Sequence, residues 1–545
     1  MNKKIIFFTL ILIFLFSSEI ISQQVQQEWL QRYTLPFYGY DDPQGLVQDG
    51  HGNIYVAGNS QGSQSAYDIV ILKYNPDGSQ IWIRRFNENY DKDEKVSAIS
   101  VDSECSIYVT GYGMRTDSTT YILTIKFDSS GTQKWVQRFS SFNDTHEYGA
   151  GIVLNNSDVF VIGSTLPRNT RRDYCLLKYN SQGVQQWISI NSMQDSTNIP
   201  KSIALDSNGN IFVTGYSFTN INDLFYNTVK YNSSGTIQWI RRYQGSGNTL
   251  NHAYKILTGN SGNIYITGES IGSSGNYDIL TIKYSNSGSQ IHTARYNSQY
   301  NLNDWPNDMT VDLYENIYIA GLSYSNNYSD CVTIKYDSTV TQHWESRYDN
   351  SGTSTDWASS ICVDYLGNVY VTGVTNYGIY NNIDFLTIKY NPTGNQQWVT
   401  FYNGPQNFYD IAKFIIAGDS SSIYVSGNSD SSGTGTDIVT IKYLQLVGIK
   451  KLSNTFPKDF SLFQNFPNPF NPSTKIKFDV ANQPAETKLV IYDVLGKEIT
   501  ALVNRQLNPG SYEVNWNAAD YPSGVYFYKL TAGDFSEVKK MILLK

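Results

Sequence analysis

The chain has 545 residues, with 40 basic and 48 acidic side chains for a net charge of −8, and it carries 43 Tyr and 41 Gly. Such a length exceeds one simple core, so two or more domains are expected. An acidic balance with no basic stripe argues against a dedicated nucleic-acid binder, and the abundance of Tyr, Gly, Ser, Asn and Thr favours strands and turns over helices.

The N-terminus reads "MNKKIIFFTLILIFLFSSEIISQQ". Two lysines precede an apolar run from Ile5 to Phe16, and small and polar residues follow, which is the layout of a secretory signal peptide over residues 1–22. The run is too short to span a bilayer as a helix, for which about 20 residues are needed. No Cys follows it to take a lipid, so an exported and soluble chain, or one attached to a surface by other means, is expected.

From Trp29 onward the sequence repeats itself. A Gly closes an "IYVTG"-like strand at positions 58, 111, 163, 215, 268, 321, 373 and 427. A Lys sits in a "DILTIKY"-like strand at 73, 126, 178, 230, 283, 335, 389 and 442. A Trp opens a further strand at 29, 82, 135, 187, 239, 344 and 398, with His292 in the remaining slot. Steps between like anchors are 52 to 54 residues. Each unit reads as four short strands with two tight turns rich in Gly and Asn, residues that accept positive φ at little cost. Four-stranded units of this length predict an all-β β-propeller. Trp29 has no partner strands before it, and the last unit stops after "DIVTIKY" (437–443) without a Trp strand. Joining the two ends completes a ring and hides its edges. The expectation is eight blades over residues 23–443, one of them shared between the chain ends.

These lines resemble the bacterial beta-propeller repeat (SBBP-type) family, through the GNIYVTG-like, DILTIKY-like and GxxxW-like elements over residues 29–443. The resemblance implies a propeller and no particular activity.

Residues present in every unit read as structural. The eight lysines are expected to pack their stems between blades, with the ammonium reaching water or a nearby Asp (Asp68, Asp173, Asp278, Asp330, Asp384 or Asp437). His292 reads as a tolerated replacement. Of the four cysteines (105, 175, 331 and 362), Cys175 and Cys331 occupy apolar repeat positions and read as small core residues. "GNSQG" (58–62) and "GESIG" (268–272) match G-x-S-x-G, but a strand rather than a helix follows each, so neither is a nucleophile elbow. No metalloprotease, Walker, Rossmann or EF-hand motif occurs, and five scattered His residues support no triad. Neither catalytic residues, a metal nor a cofactor is assigned.

Recognition is expected where the repeats disagree, at the end of the ring opposite the tight turns. Candidates are Arg168, Arg171 and Arg172 in "LPRNTRRD", and Trp305 and Trp357 in consecutive units. Aromatic side chains on a polar face suit glycan or protein surfaces. The acidic run "DKDE" (91–94) has the charge to hold a cation, but reads first as a solvated loop.

A linker is expected over residues 444–459, and after it the character changes. "FPNPFNPST", "IYDVLGKEI", "PGSYEVNW", "SGVYFYKL" and "KKMILLK" follow in order, and their turn spacing predicts a small Ig-like antiparallel sandwich over 460–545. These elements closely resemble the C-terminal sorting (Por) domain of the type IX secretion system. The positions that carry the motif are Pro467, Asn468, Pro469, Phe470, Gly496, Gly524, Lys539, Lys540 and Lys545. The resemblance implies a Gram-negative bacterium of the Bacteroidetes and relatives. It also implies passage through the periplasm, engagement of the type IX machinery at the outer membrane, and release or attachment to surface lipopolysaccharide. The function expected is that of a secreted or cell-surface propeller that binds a glycan or protein without catalysis. The alternative is a secreted polysaccharide hydrolase or lyase.

Overall fold

The computed structural model describes residues 24–545 except 36–38, 63–65, 89–91, 142–144, 167–170, 193–195, 220–222, 246–249, 377–381, 419–421, 432, 447–448, 454–456, 482–483 and 519–520. The proposed signal peptide therefore lies outside the described residues, and so does Arg168. Among the described residues there is no helix, and so none long and apolar enough to cross a membrane. Two compact units are present, Val25–Gln445 and Leu446–Lys545.

The larger unit is a succession of four-stranded antiparallel sheets arranged as a β-propeller, the first and last of them joined by a short parallel pairing at Gly39–Gly435 and Tyr40–Thr436. In the first sheet the strands are Gly39–Gln48, Ile54–Gln61, Tyr67–Tyr74 and Gln80–Phe86. Five equivalent sheets follow, the last of them being the sixth: Asp304–Val311, Ile317–Ser325, Tyr328–Tyr336 and Gln342–Tyr348. The seventh comprises Thr355–Val363, Val369–Asn376, Ile383–Tyr390 and Gln396–Tyr402. The eighth takes Asp410–Ala417, Ser422–Ser431 and Gly435–Leu446 from the end of the unit, and the strand Gln24–Tyr33 pairs with Gly435–Leu446 as its fourth. First strands of successive sheets pack on one another, and that of the eighth packs on that of the first.

Second and third strands are buried along nearly their whole length, as in Ile54–Gln61 and Tyr67–Tyr74, because a neighbouring sheet covers each face. One cluster, for example, joins Tyr55, Ile69, Ile71 and Trp82 of the first sheet to Val96, Ile107, Val109 and Leu123 of the second. Cys175 and Cys331 are fully buried in such clusters, and all four cysteines are free thiols.

In several sheets the repeated Lys and Trp lock one sheet to the next. Lys73 Nζ and Trp82 Nε1 both donate to Ser129 O, at 2.9 and 3.2 Å. Lys230 and Trp239 share Asn286 O, and Lys335 and Trp344 share Pro392 O. The lysines were expected to reach water or the Asp five residues earlier, and the Asp alternative is corrected here. Those Asp residues lie toward the other end of the strand, and four of the six pair with Arg: Arg85–Asp68, Arg295–Asp278 at 3.0 Å, Arg347–Asp330 at 2.6 Å and Arg32–Asp437 at 2.9 Å. A turn carbonyl suits both groups because its oxygen carries two lone pairs, one for the ammonium and one for the indole N–H.

The Trp rings lie over turn glycines. A Cβ on Gly78, whose φ is +87°, would fall 2.6 Å from the Trp29 ring, and Gly131 meets Trp82 in the same way. At the equivalent place in the sixth sheet stands Val340, with φ +66°, and the residue that would cover it is the exposed His292 rather than Trp.

The second unit packs two four-stranded sheets around one core. The first orders its strands Ile449–Ser453, Gly510–Asn517, Ser473–Val480 and Ser461–Leu462. The second orders them Glu498–Leu507, Ala485–Tyr492, Gly524–Ala532 and Phe535–Leu543. Ile449–Ser453 falls in the stretch expected to be linker, and its backbone is consumed by pairing with Gly510–Asn517. Phe470 packs on Trp516 at 5.5 Å, its amide donates to Ile542 O at 2.9 Å, and Asn468 Oδ1 accepts the Ile542 amide at 3.0 Å. The Pro-rich segment thus clamps the final strand. Gly496 closes a turn at φ +78°, and Gly524 opens the strand Gly524–Ala532. Lys539 pairs with Glu537 at 2.8 Å, and the Lys545 amide donates to Ser523 Oγ. The Lys540 carbonyl accepts Gln464 Nε2 at 2.8 Å.

Candidate functional site

The turn between first and second strands is built the same way in most sheets. In the sixth, Asp312 Oδ1 accepts the amides of Tyr314 and Asn316, and Oδ2 accepts Asn316 Nδ2 and Tyr318 OH, all between 2.7 and 2.9 Å. In the seventh, Asp364 receives Leu366 N, Asn368 N, Asn368 Nδ2 and Tyr370 OH in the same manner. These carboxylates are saturated, and their work is to hold the turn.

What the turn displays differs between sheets. Elsewhere its tip carries Gly50-His51, Ser103-Glu104, Ser207-Asn208 or Asn260-Ser261. In the sixth and seventh sheets the tips are Leu313-Tyr314 and Tyr365-Leu366, with Tyr314 80% and Tyr365 69% exposed. The two adjacent tips border a cavity of about 660 Å³, lined also by Lys335 and Pro392. Lys335 Nζ sits 5.1 Å from the centre of the Tyr318 ring and donates to Pro392 O, so its charge is already engaged. The cavity therefore offers two exposed phenol rings, apolar flanks and peptide edges. Among the described residues it offers no unengaged pair of carboxylates.

This site lies at the tight-turn end, whereas recognition was expected at the opposite end. There, Arg171 is exposed, while Arg172 lies over the Tyr148 ring at 4.9 Å and donates to Ser164 Oγ. Trp305 is half-buried between Tyr277 and Tyr324, with ring centres at 6.2 and 5.7 Å, and Trp357 is half-buried in the next sheet. In "DKDE", Asp91 lies outside the described residues, while Glu94 is fully buried and accepts the Glu88 amide, so that residue is no part of a solvated loop. Its side chain belongs to a series of buried residues that sequence reading passed over, one at the start of each first strand: Asp41, Glu94, Glu147, Asn198, Asn251, Asp304, Asp356 and Asp410. Several of them take an amide of the incoming loop, as Asp304 does from Ser298 at 2.8 Å and Asp410 from Gly404 at 2.6 Å. Burial pushes the Asp41 carboxyl up to about 6.

Among the described residues one trio offers metal-ligating atoms close together: Asp49, His51 and Cys105. His51 Nδ1 lies 3.1 Å from Cys105 Sγ. Asp49 already accepts His51 N, Asn53 N, Asn53 Nδ2 and Tyr55 OH, which uses its lone pairs, so only two ligands would be available to an ion.

Comparison with known proteins places both units. Residues 28–63, 193–224, 299–329 and 350–381 match the Beta-propeller repeat family, and residues 464–544 match the Secretion system C-terminal sorting domain. The chain joins beta-propeller repeats to a type IX sorting domain. The sorting domain directs export through the type IX secretion system to the cell surface or the extracellular space. An uncharacterized WD repeat-containing protein of Acanthamoeba polyphaga mimivirus is 25% identical over 409 residues, covering 66% of this chain and 26% of the relative. The chain thus spans about a quarter of that relative's length. Among solved structures, the polysaccharide lyase Uly1 is similar with a TM-score of 0.41 at 9% identity, covering 74% of this chain and 90% of its own. The beta-propeller domain of the Trilobed protease from Pyrococcus furiosus gives 0.40 at 8% identity, over 68% of this chain and 100% of its own.

Proposed function

We propose that this protein is an eight-bladed propeller, exported behind a signal peptide, that binds a glycan at the cell surface or outside the cell without transforming it. In this reading the strand Gln24–Tyr33 closes the eighth blade, and the Ig-like C-terminal sandwich is an address read by the type IX machinery. Surface lipopolysaccharide is the attachment partner the sorting domain suggests.

The observation that carries the reading is the cavity between the sixth and seventh sheets. Tyr314 and Tyr365 present rings to solvent on adjacent rigid turns, and amphipathic rings of this kind stack on sugar faces while their hydroxyls hydrogen-bond. Asp312 and Asp364, the carboxylates at hand, are spent on their own turns, which leaves no free carboxylate pair of the kind a glycoside hydrolase uses. A polysaccharide hydrolase or lyase is the competing reading. Binding to a polysaccharide panel with no release of reducing ends supports the proposal; turnover of any of those polymers overturns it.

A further inference from the structure

Four sheets carry the same buried polar row, one residue from each strand. In the first it is Asp41, Ser60, Asp68 and Arg85, and in the sixth Asp304, Ser323, Asp330 and Arg347. The fifth has Asn251, Ser270, Asp278 and Arg295, and the eighth has Asp410, Ser429, Asp437 and Arg32. In each the guanidinium of the fourth strand neutralises the Asp of the third. Arg347, for instance, donates to Asp330 Oδ2 at 2.6 Å and to Ser323 Oγ at 2.6 Å.

The seventh sheet keeps the acids and loses the base. Its row is Asp356, Thr375 and Asp384, and the fourth-strand position belongs to Phe401. Asp384 is 4% exposed, and its Oδ1 is buried with no hydrogen-bond donor. Next to it stands Asp410 of the eighth sheet, because the preceding residues Ile383 and Tyr409 form a parallel bridge and the Ile383 amide donates to Phe408 O at 2.9 Å. Burial, together with the negative charge of Asp410, drives the Asp384 carboxyl up to about 6. Asp410 Oδ1 and Asn382 Oδ1 are also buried without a donor. The third sheet shows that losing Arg need not leave such a gap. There Ile190 stands in the Arg position, but Asp173 takes Ser192 Oγ at 2.8 Å, and the neighbouring residue is the uncharged Asn198. Among the described residues of these rows, the seventh sheet alone sets two carboxylates side by side with no guanidinium on its own acid.

We infer that a hard, oxygen-seeking cation of the calcium class takes the guanidinium's place between Asp384 and Asp410. The orphaned atoms are the Oδ1 oxygens of two carboxylates, with Asn382 Oδ1 two residues before Asp384 in the chain, and none is nitrogen or sulfur, which selects calcium over zinc or copper. Calcium also tolerates the irregular coordination that a gap evolved from a salt bridge would impose. With few protein ligands, affinity belongs in the range of extracellular calcium modules, on the order of 10⁻⁴ to 10⁻³ M.

The test uses the full chain at pH 7.5, above the value of about 6 to which Asp384 is raised, with thermal unfolding followed in EDTA and in 10 mM calcium chloride at matched ionic strength. Calcium is expected to raise the midpoint of the wild type by a few degrees and to leave Asp384→Asn and Phe401→Arg unmoved. Phe401→Arg, which restores the base of the sister rows, should match or exceed the wild type in EDTA. A wild type indifferent to calcium, or a calcium shift that persists in Asp384→Asn, overturns the inference. Calorimetric titration of the wild type with calcium chloride measures binding without unfolding the chain. Saturable heat that Asp384→Asn abolishes is expected, and a wild type that releases or absorbs none overturns the inference.

Discussion

Trp29 and Lys442, from opposite ends of the propeller unit, donate to the same carbonyl: Trp29 Nε1 to Pro76 O at 3.0 Å and Lys442 Nζ to Pro76 O at 2.9 Å. Other sheets draw the equivalent Trp and Lys from one continuous stretch of chain. In the eighth they come from segments more than 400 residues apart, and Arg32 reinforces the join through Asp437 at 2.9 Å. Trp29→Ala should therefore unfold like a core deletion, losing about 3–5 kcal/mol, although the residue lies close to the N-terminus. Urea denaturation checks this; an unchanged midpoint would show that the strand is dispensable.

His292 and Val340 form a compensated pair. Val340 takes the place of a glycine at φ +66°, and the ring that would collide with its side chain is gone. His292→Trp alone is expected to cost about 1–3 kcal/mol through overpacking. Combining it with Val340→Gly should recover most of the loss, with a coupling of about 1 kcal/mol or more in a double-mutant cycle. Strict additivity of the two changes would refute the pairing.

Gly259 stands where other turns have their Asp, and Glu315 of the next sheet supplies the missing carboxylate. It accepts Ser261 N at 2.5 Å and Tyr265 OH at 2.7 Å, which hold its carboxyl down to about 2. Glu315→Ala should cost about 1–3 kcal/mol by stranding those donors, read as a lower unfolding midpoint at pH 7.

Stability should pass through a maximum on the acid side of neutrality. Asp41 and Asp384, both raised to about 6, bind a proton more tightly folded than unfolded. Their contribution is complete below the unfolded value near 3.8 and is lost as pH rises through 6, on the order of 2 kcal/mol each. Glu315 is depressed, so its contribution is present above about 4.5 and lost as pH falls toward 2. Unfolding midpoints measured without divalent cations should rise from pH 7.5 to about pH 5 and fall below pH 4. Asp384→Asn should shrink the rise, and a flat profile between pH 7.5 and 5 would contradict the burial of these acids.

The parts of the fold that were legible in the sequence are those whose signal recurs in one strand. Gly58, Lys73 and Trp82 have counterparts every 52 to 54 residues, and the solitary Trp29 signalled a strand in need of partners. Less legible were features assembled across strands. The row Asp304, Ser323, Asp330 and Arg347 draws on four strands, so no short motif contains it. The partner of each Lys is a peptide carbonyl in the next repeat, which leaves no mark on side-chain identity. The Leu313-Tyr314 and Tyr365-Leu366 tips were visible as departures from Gly, Ser and Asn, but the turns looked uniform because Asp312, Asn316, Asp364 and Asn368 obey the repeat.

Binding by the Tyr314–Tyr365 cavity is most directly tested by titrating the exported protein with the best polysaccharide from a panel, alongside Tyr314→Ala/Tyr365→Ala and Arg171→Ala. Both tyrosines are mainly exposed, so the double variant should keep its unfolding midpoint. Its affinity should fall by about tenfold or more, as expected for losing two stacking rings, while Arg171→Ala binds like the wild type. Undiminished binding by the double variant, with loss in Arg171→Ala, would move recognition to the opposite end of the ring.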